Sequence, residues 1–329
     1  KHELGEAPYR FNWQTPILLS SHNQDILYYG GNKLHRSLNQ GDDWTAISDD
    51  LTQGGKKGNV AFGTLTTISE SPAQFGFLYT RSDDGYAYRS ENGGGSWDRI
   101  SDELPQNLWV SRIVASEHQK ERVYITLNGY RDDDFKSYVY DSENKGDVWR
   151  SINANLPNSP INVIREDPNN DQILYLGNDQ GTYISFDQGG RWSEFKNGVT
   201  TAAVHDLVIQ PEANHLLIGT HGRSIYKTDL APFNKVNANF LKQELILLDL
   251  QKVKHSSRWG TRRSSWRNIN GPQITLSAYA LAAGSYQMQV KNKKGIVLFE
   301  QKGMLDAGFN FVIYALEKDA NGIVNFNKK

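Results

Sequence analysis

Ser185-Phe186-Asp187-Gln188-Gly189-Gly190-Arg191-Trp192 follows one strand-like run, Thr182-Tyr183-Ile184, and precedes another, Ser193-Glu194-Phe195. The pattern is Ser-x-Asp-x-Gly-x-x-Trp, and each fixed residue suits a tight turn between strands. A short Asp side chain accepts hydrogen bonds from its own turn backbone. Glycine takes a positive φ that a Cβ resists. The Ser hydroxyl adds a local bond, and the Trp offers a large apolar face to a neighbouring sheet. The same spacing recurs at Ser37, Asn39, Gly41 and Trp44, at Ser90, Asn92, Gly94 and Trp97, and at Ser142, Asn144, Gly146 and Trp149. Asn keeps the acceptor oxygen of Asp and drops its charge. Four copies at one offset signal a repeat architecture.

Between the boxes the chain alternates apolar and polar residues, as half-buried strands require. Pro16–Ser20, Ile26–Gly30, Lys33–Ser37 and Thr45–Ser48 have the content of one four-stranded propeller blade. Three more such sets follow, and consecutive boxes begin 53, 52 and 43 residues apart. A fifth set, Val204–Ile209, Leu216–Thr220 and Ser224–Lys227, has no box and no evident outer strand. From Ala231 to Gly271 the pattern breaks, apart from Ile246–Leu250, which reads as one strand. From Pro272 the alternation returns, as in Gly284–Val290, with Gly turns between runs, which suggests a small sandwich. The fold expected is therefore all-β. Blades occupy 1–230, a linker 231–271, and an immunoglobulin-like β-sandwich 272–329.

The box resembles the Asp-box, or bacterial neuraminidase repeat, of sialidases, xyloglucanase-type glycoside hydrolases and the sortilin N-terminal domain. That resemblance implies a β-propeller in which the boxes are structural turns remote from the ligand face. Three further stretches are similar to large exported sortilin-like or glycosyl-hydrolase-like repeat proteins of Bacteroidetes. They are Tyr9-Arg10-Phe11-Asn12-Trp13 with Pro16-Ile17, Asn162–Pro168, and Gly219-Thr220-His221-Gly222-Arg223-Ser224-Ile225-Tyr226. The resemblance implies a bacterial, extracytoplasmic protein (periplasmic, outer-membrane-associated or secreted) of which this chain is the C-terminal third. About five blades either close alone or are completed by an upstream propeller segment, from the same protein or a separate chain. The missing outer strand of the fifth set favours completion, because open strand edges are avoided.

Composition excludes several functions. The net charge of −1 leaves no basic footprint for nucleic acid. With no cysteine there is no disulfide, thiolate catalysis or Cys-type zinc site. The histidines lack paired spacing, so neither a metal nor another cofactor is expected. No apolar run is long enough for a transmembrane helix. The start, Lys1-His2-Glu3-Leu4-Gly5, lacks the apolar core of a signal peptide and is read as a mature product or a fragment.

Candidate ligand-face residues are Arg131, Asp132 and Asp133 in the longest inner hairpin, Arg165, and the pair His221 and Arg223. His221 and Arg223 suit either an anion contact or a brace between blades. The basic, aromatic stretch His255–Arg267 suits an anion or sugar contact, or a packed linker. Glycoside hydrolysis needs two flanking carboxylates, and Asp83, Asp84, Asp132, Asp133, Asp134, Glu166 and Asp167 are available without an evident pairing. The Arg-Ile-Pro motif of sialidases is absent. The function expected is a binding or assembly module presenting a propeller face to a protein or glycan. The alternative is a sialidase- or xyloglucanase-like hydrolase whose site is shared with upstream blades.

Overall fold

A computed structural model describes residues 8–56, 61–196, 199, 201–234, 236, 240–249, 256, 258, 264, 266, 273–291 and 293–315. The chain divides into two compact units, Lys1–Trp192 with Thr200–Asp229, and Ser193–Val199 with Leu230–Lys329.

The first unit is a succession of antiparallel blades, each ordered along the sheet as along the chain. The first blade is β1 (Ile17–Leu19), β2 (Leu27–Gly30), β3 (Leu34–Ser37) and β4 (Thr45–Ala46). The second is β5 (Leu65–Glu70), β6 (Leu78–Ser82), β7 (Ala87–Ser90) and β8 (Asp98–Arg99). The third is β9 (Trp109–Ala115), β10 (Val123–Gly129), β11 (Asp134–Ser142) and β12 (Arg150–Ser151). The fourth is β13 (Ile161–Asp167), β14 (Asn170–Asn178), β15 (Thr182–Ser185) and β16 (Trp192–Glu194). The fifth has three strands, β17 (Val204–Gln210), β18 (His215–Thr220) and β19 (Ile225–Asp229).

Each box is a closed turn. Ser185 Oγ accepts from the Gly189 amide at 2.8 Å and donates to Asp187 Oδ1 at 2.8 Å, and Asp187 Oδ1 accepts from the Arg191 amide at 2.8 Å. The Asn copies repeat this with one acceptor oxygen. Gly189 has φ +86 and its Cβ position lies 2.7 Å from the Ile152 side chain, so only glycine fits there. The box also ties blades together. The indole N–H groups of Trp97, Trp149 and Trp192 donate back to the Ile47, Ile100 and Ile152 carbonyls of the preceding blade.

The inner strands repeat a second device. β5, β9, β13 and β17 each carry a register shift near their start, at Leu65/Thr67, Val110/Arg112, Ile161/Val163 and Val204/Asp206. Such bulges bend a strand and re-aim its side chains. On the second strands of the first four blades Tyr28, Tyr79, Tyr124 and Tyr175 are fully buried. Tyr28 donates to Glu70 at 2.9 Å, and Tyr124 donates to Glu166 at 2.8 Å, each bond crossing to the next blade. The same carboxylates accept from Ser20 at 2.6 Å and from Ser116 at 2.7 Å. Each is thus a buried acid whose lone pairs are met, which is how a buried charge is tolerated.

In the second unit β20 (Leu245–Asp249), β21 (Gln273–Ala280) and β24 (Gly308–Ala315) form one sheet, and β22 (Gly284–Lys291) with β23 (Val297–Leu305) forms a ribbon. Phe195, Phe233, Phe309 and Phe311 meet edge to face at 5.4–5.9 Å between ring centres. β20 falls inside the stretch read from sequence as a linker and pairs with β21. The Phe195 segment belongs to this unit although the sequence places it among the blades. Apart from Ser256, Arg258, Ser264 and Trp266, the basic stretch 255–267 lies outside the described residues.

Candidate functional site

The inner strands of successive blades turn one edge of every sheet toward a common cavity of about 1170 Å³. Its wall includes Leu18 of β1, Thr66 and Ser69 of β5, Ser111, Arg112 and Val114 of β9, Asn162 and Arg165 of β13, and His205 of β17. Alternation along each inner strand, reset by the bulge, brings these positions to the cavity. Loops at one end add Asn12, Trp13, Tyr130, Arg131, Asp179 and His221.

Two guanidinium groups meet in this wall. Arg112 Nη2 lies 2.8 Å from Asp206 Oδ1, and Arg165 Nη2 lies 3.4 Å from the same oxygen. Arg165 Nε also donates to the Leu207 carbonyl at 2.9 Å. Arg112 Nε has no hydrogen-bond partner among the described groups. Two cations thus share one carboxylate. Burial and then the neighbouring charge of Arg112 push Arg165 down to about 10, and burial lowers Arg112. Glu117 stands on the same wall with much of its surface open to solvent, and the partial desolvation of its carboxyl, followed by the nearby Glu166 charge, raises its pKa.

The mouth is aromatic. Arg131 stacks 3.9 Å over the Trp109 ring, a cation–π contact. Trp13 is 89% exposed and Tyr130 is 61% exposed. The Asn128 amide donates across blades to Asn162 Oδ1 at 2.8 Å, and the Asn162 amide donates to the Asp179 carboxylate of its own blade at 2.8 Å. The His205 and His221 rings lie 5.2 Å apart.

Of the residues singled out in the sequence, Arg131, Arg165 and His221 share this cavity. Asp132 and Asp133 are exposed beside it in the turn Tyr130–Asp133, and Arg223 is exposed in the β18–β19 turn. The His221 amide bonds the Ala203 carbonyl at 2.8 Å, so its backbone braces the loop while its ring faces His205. The proposed carboxylates fare differently. Glu166 accepts the Tyr124 and Ser116 hydroxyls and so forms a latch between the third and fourth blades. Asp167 accepts from Tyr175 at 2.7 Å. Asp83 accepts from Thr64 Oγ1 at 2.7 Å and from the Thr64 amide at 3.0 Å. Asp84 accepts from the Gln53 amide at 2.7 Å and from Ser82. Asp134 accepts from the Tyr138 hydroxyl at 2.6 Å. All five serve local structure. Trp109, Glu117, His205 and Asp206 were not singled out, because only the stacking of blades brings them together. Among the described residues no cluster of His, Asp and Glu could hold a metal ion, and no helix is long and apolar enough to cross a membrane.

Comparison with known proteins fits this architecture. A family model described as Sortilin, neurotensin receptor 3 (Sortilin-Vps10) matches residues 85–203. A xyloglucanase of a Paenibacillus species is 27% identical over 167 residues, covering 46% of this chain and 16% of that protein. An ancestral GH74 enzyme superposes with TM-score 0.53 at 14% identity, over 90% of this chain and 39% of the other. The GH74 xyloglucanase of Xanthomonas campestris gives 0.53 at 13%, over 95% and 47%. The likeness to the solved structures is one of fold. The chain is an all-β, sortilin-like propeller that resembles glycosyl-hydrolase-like proteins, and it spans about a sixth of the curated relative's length.

Proposed function

We propose that this chain is an extracytoplasmic binding module whose propeller cavity takes an extended glycan. The observation that carries the reading is the contrast within the first unit. Arginine and aromatic faces line the open cavity beside Glu117 and Asp179, whereas five of the seven acidic side chains singled out in the sequence are committed to structural bonds. At about 1170 Å³ the cavity exceeds the range of about 300–1,000 Å³ usual for small-molecule pockets, so several linked units suit it better than one. Trp13, Trp109 and Tyr130 offer flat apolar faces to sugar rings. The amides of Asn128 and Asn162 and the guanidinium groups of Arg112 and Arg165 offer polar contacts. The two loop carboxylates Asp132 and Asp133 stand side by side in one turn and cannot flank a scissile bond from opposite sides.

Electrophoresis through gels carrying xyloglucan or other polysaccharides tests this together with assay of released reducing ends. Retarded migration without new reducing ends is the expected result, and Trp109→Ala should restore free migration. The second reading, a glycoside hydrolase whose site needs further propeller segments, is favoured by the 27% identity to a xyloglucanase. Release of reducing ends by this chain, abolished in Asp132→Ala, would establish it instead.

A further inference from the structure

The repeat allows each blade to be compared with its neighbours, position by position. On the inner strands, Ile68, Ile113 and Ile164 precede the residue paired with the buried tyrosine, and they are 9%, 1% and 0% exposed because each packs with the core of the preceding blade. Ile17 occupies that position in the first blade and is 65% exposed. On the third strands Leu34, Ala87, Val139 and Thr182 are 0–1% exposed, and the first three are covered by the inner strand of the following blade. Ile225 is their counterpart in the fifth blade and is 73% exposed.

The box contacts repeat the contrast. Trp97, Trp149 and Trp192 each donate to a carbonyl of the preceding blade, and Gly94, Gly146 and Gly189 each abut that blade's isoleucine. Trp44 is 42% exposed with no acceptor for its indole N–H among the described residues, and Gly41 meets nothing but Trp44. At the other end, Arg36 and Arg89 each donate at 3.1 Å to a carbonyl in the box of the following blade. Lys227 holds the equivalent place in β19, exposed and without an ion pair among the described residues.

We infer that the outer faces of the first and fifth blades are docking surfaces for further Asp-box blades, so that these five are an arc of a larger ring. The occupant is specified by what is left open. The blade before the first must present a backbone carbonyl and an aliphatic side chain to Trp44 and Gly41, as Ile47, Ile100 and Ile152 do. The blade after the fifth must bring an aliphatic inner strand over Ile225 and a box carbonyl to Lys227. Only a blade of the same repeat supplies these in register, and each face continues the blade-to-blade interfaces already present. The source is a segment outside these 329 residues, since the two superposed propeller structures are each more than twice as long as their matched part. This inference is independent of the glycan reading.

These 329 residues hold no cysteine, so an introduced one is the single labelling site in the isolated chain, and in the native product its labelling is read by peptide mapping. Maleimide reactivity of Ile17→Cys, Ile225→Cys and the buried control Ile164→Cys is measured twice, in the isolated 329-residue chain and in the product tagged and purified from its source cells. Both exposed sites should react quickly in the isolated, monomeric chain and at least tenfold more slowly in the native product. Amine cross-linking of the native product should join Lys227 to a peptide holding a Ser-x-Asp/Asn-x-Gly-x-x-Trp box from outside these residues. Equal rates in the two preparations would overturn the inference. So would protection in an isolated chain of doubled mass, cross-links to a second copy, or cross-links to a protein without boxes. Both substituted positions are exposed, and the far-ultraviolet dichroism of each variant checks that the blades persist.

Discussion

Glu166 shows what a single residue does in this fold. Its two oxygens receive the Tyr124 and Ser116 hydroxyls and the Glu117 amide, at 2.6–2.8 Å. Glu166→Ala leaves three buried donors unmet, and the first unit should lose about 3 kcal/mol in urea unfolding, within the range for breaking a buried charged network. Tyr79 tests the same logic in reverse. Its hydroxyl is buried without a protein partner, because Ala115 stands where Glu70 and Glu166 stand in the other blades. Tyr79→Phe should be neutral or stabilising, while Tyr124→Phe should cost about 1–3 kcal/mol. Glu117 supplies a pH dependence. Partial desolvation and the Glu166 charge raise its folded pKa above the unfolded value. Its contribution is therefore full below the ordinary Glu range and lost as pH rises through the folded value. Glu117→Gln should match the parent at acidic pH and unfold at higher urea near neutrality. The latch was not legible in the sequence, where Glu166 reads as a loose acidic candidate beside Asp167. Its tyrosine lies 42 residues away, and nothing local announces the pairing.

The box is the element in which sequence and structure agree most closely. Serine, Asp or Asn, and glycine interact within five residues, so spacing alone reveals the turn. What spacing does not reveal is direction, namely that Trp97, Trp149 and Trp192 each reach back to the blade before. That asymmetry gives a comparison between two copies of one motif. Trp192→Phe removes a bond of 2.7 Å to the Ile152 carbonyl and should destabilise the first unit by about 1–2 kcal/mol. Trp44→Phe removes no such bond in this chain and should change stability by less than about 0.5 kcal/mol, as surface substitutions do. The inner strands were legible as strands, but the bulges were not, and a bulge decides which side chains face the cavity. Hence Arg165 was found from sequence, whereas His205 and Asp206 were missed. In the second unit the run Ile246–Leu250 reads as a strand, but its pairing with β21, well downstream, was not legible.

For the whole molecule, the account rests on a cavity wall that belongs to no single blade. Aromatic anchors at its mouth should dominate binding, since truncating such a residue typically costs more than about 1 kcal/mol. Loss of 1.4 kcal/mol weakens affinity about tenfold. Loss of Trp13 together with Tyr130 should therefore reduce affinity at least tenfold. Leu38→Ala, as exposed as Tyr130 but in a box turn, should leave affinity unchanged. The most direct measurement is isothermal titration of the polysaccharide fragment best retained in gels, with the parent, the Trp13→Ala/Tyr130→Ala double variant and Leu38→Ala compared side by side. The account predicts saturable binding by the parent and by Leu38→Ala, weakened at least tenfold in the double variant, with the fragment recovered intact. Binding that survives the double variant, or a fragment recovered cleaved, would contradict it.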